Sequence, residues 1–304
     1  MLSKALSQYP QFRFRQTQKR LWNPIVKKDF ANLPEERVRL SLVDYFTKEG
    51  SVMSSRISFE SPVKLVGDKS SSRTDIICYD KEFAPLLLVE CKAPAIKLDE
   101  KAAVQIARYN QKVGAPYLLV SNGMIDFWFH VNEGDVQPIG EIPKAFSSGN
   151  KRETNLDYWV ERSFVGTDLH PGARDFVKTI CEKLFLNPAQ PVKYLAFDDF
   201  GPELALGHYY RIFGLKIDQR VAISISANPY GGTRLNAVLN QDGANIAFCS
   251  ASLNMIAEEE NANTEIHSQK GQIQIDLREE IGFSFSKEIE QMASRFGDLL
   301  LKHS

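Results

Sequence analysis

The sequence predicts an α/β fold with a mixed sheet flanked by helices, followed by a second, β-rich α+β domain. Three observations predict it. Residues 32 to 131 alternate helical periodicity with short strand-like runs, some of them apolar without a break. Residues 193 to 277 carry six short β-type runs separated by Gly- and Pro-containing turns, and helical stripes flank that stretch on both sides. Between the two textures lies Ser147-Ser148-Gly149-Asn150 with Lys151 and Arg152, the composition of a linker. The expected domains are therefore residues 1–148 and 149–304.

The elements follow in order. Pro34 opens a helix with Asn32 as its expected cap, and Leu33, Val38, Leu42 and Tyr45 or Phe46 recur at helical spacing to about Lys48. Arg56 to Glu60 alternates polar and apolar residues and is expected as a strand. Thr74 to Tyr79 and Leu86 to Lys92 are two more, joined by Asp80-Lys81-Glu82. Leu98 to Val113 predicts a helix, Pro116 to Ser121 a strand, and Asn122-Gly123 a turn into a strand from Ile125 to Val131. In the second half, helices are expected from His170 to about Leu186 and from Ser286 to Lys302. Strands are expected at residues 193–197, 209–215, 221–227, 234–239, 246–250 and 272–277, forming an antiparallel sheet or a sandwich.

Composition excludes several classes. With 43% hydrophobic and 25% charged residues among 304, the chain is neither disordered nor fibrous. An apolar run such as Pro85 to Val89 is far too short to span a bilayer, so no membrane role is expected. Cys78, Cys91, Cys181 and Cys249 are widely spaced, without a Cys-x-x-Cys pair, and no secretory leader pattern opens the chain; a reduced, cytoplasmic protein is expected. Residues 1–150 hold 21 Lys and Arg against 17 Asp and Glu, and residues 151–304 hold 16 against 21. The first 28 residues contain seven basic side chains and no acidic one, interleaved with Phe12, Phe14 and Trp22. Such an arm, with Arg13 and Arg15, has the chemistry to follow phosphates and stack on bases; a solvated charged face is the plainer alternative.

The informative stretch is Arg73-Thr74-Asp75-Ile76 followed by Val89-Glu90-Cys91-Lys92-Ala93-Pro94. If the two strands form a hairpin about Glu82 and Phe83, facing residue numbers sum to about 165, which sets Asp75 opposite Glu90. Glu90 and Lys92 are two apart and share a face. Two carboxylates so close raise each other's pKa unless a cation intervenes, and a hard divalent ion such as Mg²⁺ takes oxygen ligands. The bland alternative is a polar strand end leaving the core. No Gly-Lys dipeptide exists, so a Walker A loop is absent, and neither His-Glu-x-x-His nor Gly-x-Ser-x-Gly occurs. Glu258-Glu259-Glu260 is expected as a solvated loop.

The helix and strand order, with Asp75, Glu90 and Lys92 on consecutive strands, resembles the PD-(D/E)XK nuclease superfamily. More closely it resembles the nuclease domain at the N terminus of type I restriction enzyme R subunits and stand-alone bacterial relatives. The segments that carry this are Asn23-Pro24-Ile25-Val26-Lys27-Lys28, Leu33-Pro34-Glu35-Glu36-Arg37-Val38-Arg39, the two quoted above, Gln105-Ile106-Ala107-Arg108-Tyr109-Asn110 and Val120-Ser121-Asn122-Gly123. The resemblance implies a restriction-endonuclease-like core and a Mg²⁺-dependent endodeoxyribonuclease, with Mn²⁺ able to substitute. Asp75 and Glu90 would then be metal ligands, Lys92 the catalytic lysine and Glu36 an additional acid at the site. Gln105 and Tyr109, one helical turn apart, match the family's Gln-x-x-x-Tyr pair and, with Arg73, would address DNA or the active site. Arg73-Thr74 stands where the superfamily's Pro is usual, and Asn23 and Val26 replace the Asp and Arg expected there. These residues carry no motor motif, and the expected partners are DNA, a second copy of the chain in a dimer or higher oligomer, and a motor or methylase subunit. The alternative is a catalytically silent nucleic-acid-binding or protein-docking subunit of a restriction or defence system.

Overall fold

The computed structural model describes residues 1–63, 72–147, 153–187, 190, 192–197, 206–258 and 262–304. The expected linker from Ser148 onward and Glu259-Glu260 lie outside them. The chain forms two compact units: Met1–Gln11 with Arg20–Arg152, and Phe12–Lys19 with Glu153–Ser304.

Up to residue 147 the chain runs through β1 (Gln11–Arg15), β2 (Gln18–Asn23), β3 (Lys28–Phe30), α1 (Pro34–Lys48), β4 (Ile57–Phe59), β5 (Pro62–Val63), β6 (Ser72–Arg73), β7 (Ile76–Tyr79), β8 (Pro85–Cys91), α2 (Glu100–Val113), β9 (Tyr117–Ser121), β10 (Asp126–Asn132) and β11 (Asp135–Ile139), of which Phe12–Lys19 belongs to the second unit and the rest to the first. Six strands make a mixed sheet in the order β11-β10-β9-β8-β7-β4. Only β8 and β9 are parallel, joined through α2. The run Leu86 to Val89 is unbroken because both faces of β8 are covered. Leu87, Val89 and Cys91 pack toward α1 through Leu42, Val43 and Phe46, while Leu88 packs toward α2 with Ala102 and Ile106. A sheet clad on both sides leaves its strand ends as the natural place for polar groups.

Local chemistry explains the departures from expectation. Leu33, not Asn32, is the cap of α1; Pro34 supplies the first-turn preorganisation, and Asn32 instead accepts from Arg37 Nη1 at 2.8 Å. Arg56 closes a short 3₁₀ turn, so the strand begins at Ile57. The strand β11 escaped the sequence reading. Its hairpin turns on Glu133 and Gly134, both at positive φ (49° and 87°), as a two-residue turn matching strand twist requires.

The second unit contains α3 (Leu156–Glu161), α4 (Arg174–Phe185), β12 (Val192–Leu195), β13 (His208–Lys216), β14 (Gln219–Ala227), β15 (Thr233–Gln241), β16 (Ala244–Ser252), α5 (Leu253–Glu258), β17 (Asn263–Ser268), β18 (Gly271–Asp276), α6 (Leu277–Ile281) and α7 (Ile289–Lys302). It is one antiparallel seven-stranded meander in sequence order rather than a sandwich. Along β14, Val221, Ile223 and Ile225 are buried. The helix α7 lies against β13 to β16, burying Met292, Phe296 and Leu300. The tip of the N-terminal hairpin belongs to this unit. Phe12 packs beside Tyr194, His208 and Tyr209, and Lys19 Nζ donates to His208 Nδ1 at 2.8 Å and to Gly207 O at 3.2 Å. His208 is wholly buried and kept neutral, first by that burial and then by the ammonium. Lys19 is thus engaged within the fold instead of extending as part of a basic arm.

Candidate active site

The register of β7 and β8 is the one expected. Ile76 faces Val89, Ile77 faces Leu88 and Cys78 faces Leu87. Continuing it places Asp75, one residue before β7, level with Glu90 near the end of β8. The connection is held by the Asp80 side chain, whose Oδ1 accepts from the amides of Glu82 and Ala84 at 3.0 and 2.8 Å. The strand pair thus brings the two carboxylates to one end of the sheet.

Their partners differ, and the partners define the site. Asp75 Oδ2 accepts from the Cys91 amide at 2.6 Å, and its Oδ1 meets Arg39 Nη2 at 2.7 Å. Arg39 projects from α1, with 9% of its side chain exposed, and its Nη1 also meets Glu36 Oε2 at 3.0 Å and Glu60 Oε1 at 3.2 Å. Glu90 Oε1 accepts from Lys92 Nζ at 2.6 Å and from Gln105 Nε2 at 2.8 Å. Gln105 Nε2 also lies 3.4 Å from the Tyr109 hydroxyl. One helix from each side of the sheet therefore supplies a side chain to one of the carboxylates.

Burial governs the protonation states. It pushes the Glu36 carboxyl up to about 7 from 4.5 against the pull of Arg39. It pushes Glu90 up to about 6, with Asp75 adding to the rise and Lys92 opposing it. For Asp75, burial outweighs Arg39 and the Cys91 amide, so its pKa is raised as well. Burial alone would lower the Lys92 pKa, but the bond to Glu90 more than offsets it, and Lys92 stays an ammonium. Carboxylates whose proton affinity burial has raised are carboxylates that would gain from a further cation.

The folded chain therefore holds more protons than the unfolded one between pH 4.5 and about 7, and its stability falls as pH rises through that window. The Glu36 share is on the order of 3 kcal/mol at about 1.36 kcal/mol per pKa unit. In Glu36→Gln, the loss of melting temperature between pH 5 and pH 7.5 without divalent ions should be smaller than in the parent. Equal slopes in scanning fluorimetry would refute a strained Glu36 carboxylate.

Residues 34–143 match the family described as Type I restriction enzyme R protein N terminus. No curated protein and no solved structure matches the chain. The matched segment, about a third of the chain, carries Glu36, Arg39, Asp75, Glu90, Lys92, Gln105 and Tyr109. Arg13 and Arg15 fall outside it; they are exposed on β1, in the stretch that clusters with the second unit. Arg73 is within it but 69% exposed, 3.8 Å from Glu60. Arg39 was not singled out from sequence. Its only local signal is its spacing of four and three residues from Glu35 and Glu36, the pattern of an ordinary helix-surface ion pair.

The oxygen chemistry fits a hard divalent cation. Asp75 and Glu90 are anionic oxygen donors, and Glu36 Oε1 is buried without a hydrogen-bond partner. Among the described residues no group of three or more His, Cys, Asp or Glu side chains is drawn together as a complete metal cage. One or two carboxylates with retained waters is the habit of Mg²⁺.

Gln105 touches Glu90 directly, whereas Tyr109 acts on Gln105 through a long contact. Gln105→Ala should therefore reduce any divalent-dependent cleavage by about 10- to 100-fold, the usual cost of losing a residue that orients a ligand, and Tyr109→Phe by less. Melting temperatures should stay near the parent's in both. A loss of stability that parallels the loss of rate would assign the pair to packing alone.

Proposed function

We propose that the chain is a Mg²⁺-dependent endodeoxyribonuclease of restriction-enzyme type. The observation that carries the reading is the Lys92 ammonium held 2.6 Å from Glu90, on the strand paired with the one that Asp75 precedes. Asp75 and Glu90 would hold the ion, with Mn²⁺ as a substitute, and Glu36 would tune it through Arg39. When bound, such an ion acidifies water and offsets charge on a phosphodiester. Lys92, fixed by Glu90, orients the attacking water and places its positive charge where the phosphate gains negative charge. Gln105 keeps Glu90 Oε1 turned toward Lys92. The Cys91 amide fixes the Asp75 carboxylate.

A second reading rests on Arg39. Its guanidinium already meets Asp75 Oδ1, so the chain carries an internal cation at the site, as a silent nucleic-acid-binding or protein-docking subunit could. Incubation of the purified protein with supercoiled, linear and single-stranded DNA, with Mg²⁺ or with EDTA, separates the two. Cleavage only with Mg²⁺ supports the nuclease; intact DNA under all conditions supports the silent subunit.

The second unit is proposed to serve self-association or docking of a motor or methylase partner. Residues 151–304 hold 16 basic against 21 acidic residues, a poor balance for tracking phosphates. One site cuts one strand, so double-strand cleavage needs two copies or repeated nicking. Among the described residues no helix is long and apolar enough to cross a membrane; a cytoplasmic setting belongs to the same proposal.

A further inference from the structure

The second unit contains a polar pocket of about 200 Å³ that the proposed function does not use. It arises from strand register. Arg234 on β15 sits between Ser226 on β14 and Ser252 on β16, and the next residue on that face, Asn236, sits between Ser224 and Ser250. Leu235 and Ala237 turn to the other face and are buried. The result is a guanidinium at the end of a serine and asparagine ladder.

The ladder holds the guanidinium in place. Arg234 Nε donates to Ser250 Oγ and Nη2 to Ser250 O, both at 2.6 Å. Ser250 Oγ donates to Asn236 Oδ1 at 2.7 Å, and Asn236 Nδ2 to Ser226 Oγ at 2.8 Å. Asn236, Ser226 and Ser250 are buried, so each bond matters to their satisfaction. Thr264 Oγ1 donates to the same Ser250 carbonyl at 3.0 Å. These two bonds use two of the five N–H donors of Arg234, leaving an outward fork.

That fork forms no ion pair among the described residues, although the Glu265 carboxylate lines the same pocket. Burial lowers the Arg234 pKa, opposed first by Cys249 and then by Glu265. A half-buried cation without a counter-ion is costly unless something supplies one. The walls add neutral donors, Ser252 and Asn263, while Glu265 lies 3.6 Å from His267 Nε2 with 43% of its side chain exposed. An anionic head against Arg234 and a hydroxyl- or amine-bearing body against Glu265 and Met255 would satisfy every wall.

We infer that this pocket binds a small organic phosphate, held through Arg234. The acidic balance of the surrounding residues favours a free small molecule over a strand of nucleic acid. The site stands independently of the candidate active site.

Calorimetry and thermal melting of the full chain test it, with inorganic phosphate, AMP, dAMP and adenosine against chloride at matched ionic strength. Phosphate and the mononucleotides should raise the melting temperature, and adenosine should not. Arg234→Lys keeps the charge but loses the fork, and should weaken AMP at least about tenfold. Asn263→Asp, at an exposed position, should weaken it comparably by repulsion, which covers the case in which Arg234→Lys unfolds. Asp75→Ala should bind AMP as the parent does. The inference is overturned if phosphate and the mononucleotides give no shift, or if a folded Arg234→Lys or Asn263→Asp binds AMP undiminished.

Discussion

Lys92→Ala should lower Mg²⁺-dependent cleavage by roughly 10²- to 10⁴-fold, the range for losing a positioned proton-transfer or charge-offsetting group, while leaving divalent-ion binding in place. Asp75→Ala and Glu90→Ala should instead abolish both binding and cleavage. The difference follows from the geometry. Lys92 bonds Glu90 Oε1 and is not itself an oxygen donor, whereas the carboxylates are the anionic groups at the strand ends. Asp75→Ala and Glu90→Ala should stay folded because burial already raises the pKa of both carboxyls and their removal relieves that strain, and Lys92→Ala because the side chain is partly exposed. Calorimetry with Mn²⁺, circular dichroism and a plasmid-nicking assay decide the matter together. Undiminished ion binding in the Asp75 and Glu90 variants would remove them from the ligand set.

Arg39→Met should be the most destabilising change at the site, costing about 3–5 kcal/mol at pH 7.5 without divalent ions, as expected when one partner of a buried charge network is lost. Three carboxylates, Asp75, Glu36 and Glu60, then lose a cation within 3.2 Å. Their proton affinities rise further, so the deficit should shrink toward pH 5 and widen as pH increases. Under the nuclease reading, Mg²⁺ or Mn²⁺ should restore part of the lost stability, because the ion takes over the neutralising role. Urea midpoints at two pH values, with and without Mn²⁺, measure this. A loss under about 1 kcal/mol without pH dependence would mean that Arg39 is a surface pair of little consequence. A large loss that Mn²⁺ leaves untouched would favour the silent subunit.

Much of this was legible from residues alone because it depends on local periodicity. The unbroken Leu86 to Val89 run predicts a strand covered on both faces, and α1 and α2 cover it. The hairpin arithmetic about Glu82 and Phe83 holds: Ile76 pairs with Val89, Ile77 with Leu88 and Cys78 with Leu87. Gln105 and Tyr109 share a helix face by spacing, and the bond from Gln105 to Glu90 follows once α2 lies on the sheet. The strands β11 and β17 were passed over because their runs are short and half polar, so period alone does not separate them from loop.

What the sequence by itself determined is the main helices and strands around the site and the alignment of Asp75 with Glu90, since both follow from spacing within a few dozen residues. Only the tertiary structure decided which cations those carboxylates meet. Arg39 is 36 residues before Asp75 and looks, in one dimension, like the partner of Glu35 and Glu36. It becomes the neighbour of Asp75 because packing Leu42, Val43 and Phe46 into the sheet sets the rotation of α1. Likewise, Phe12 to Lys19 joins the second unit because Phe12 buries its ring among Tyr194, His208 and Tyr209, and no local pattern encodes a contact across nearly two hundred residues. Long-range partners are chosen by how apolar faces pack, and that choice is made only when the whole chain is folded.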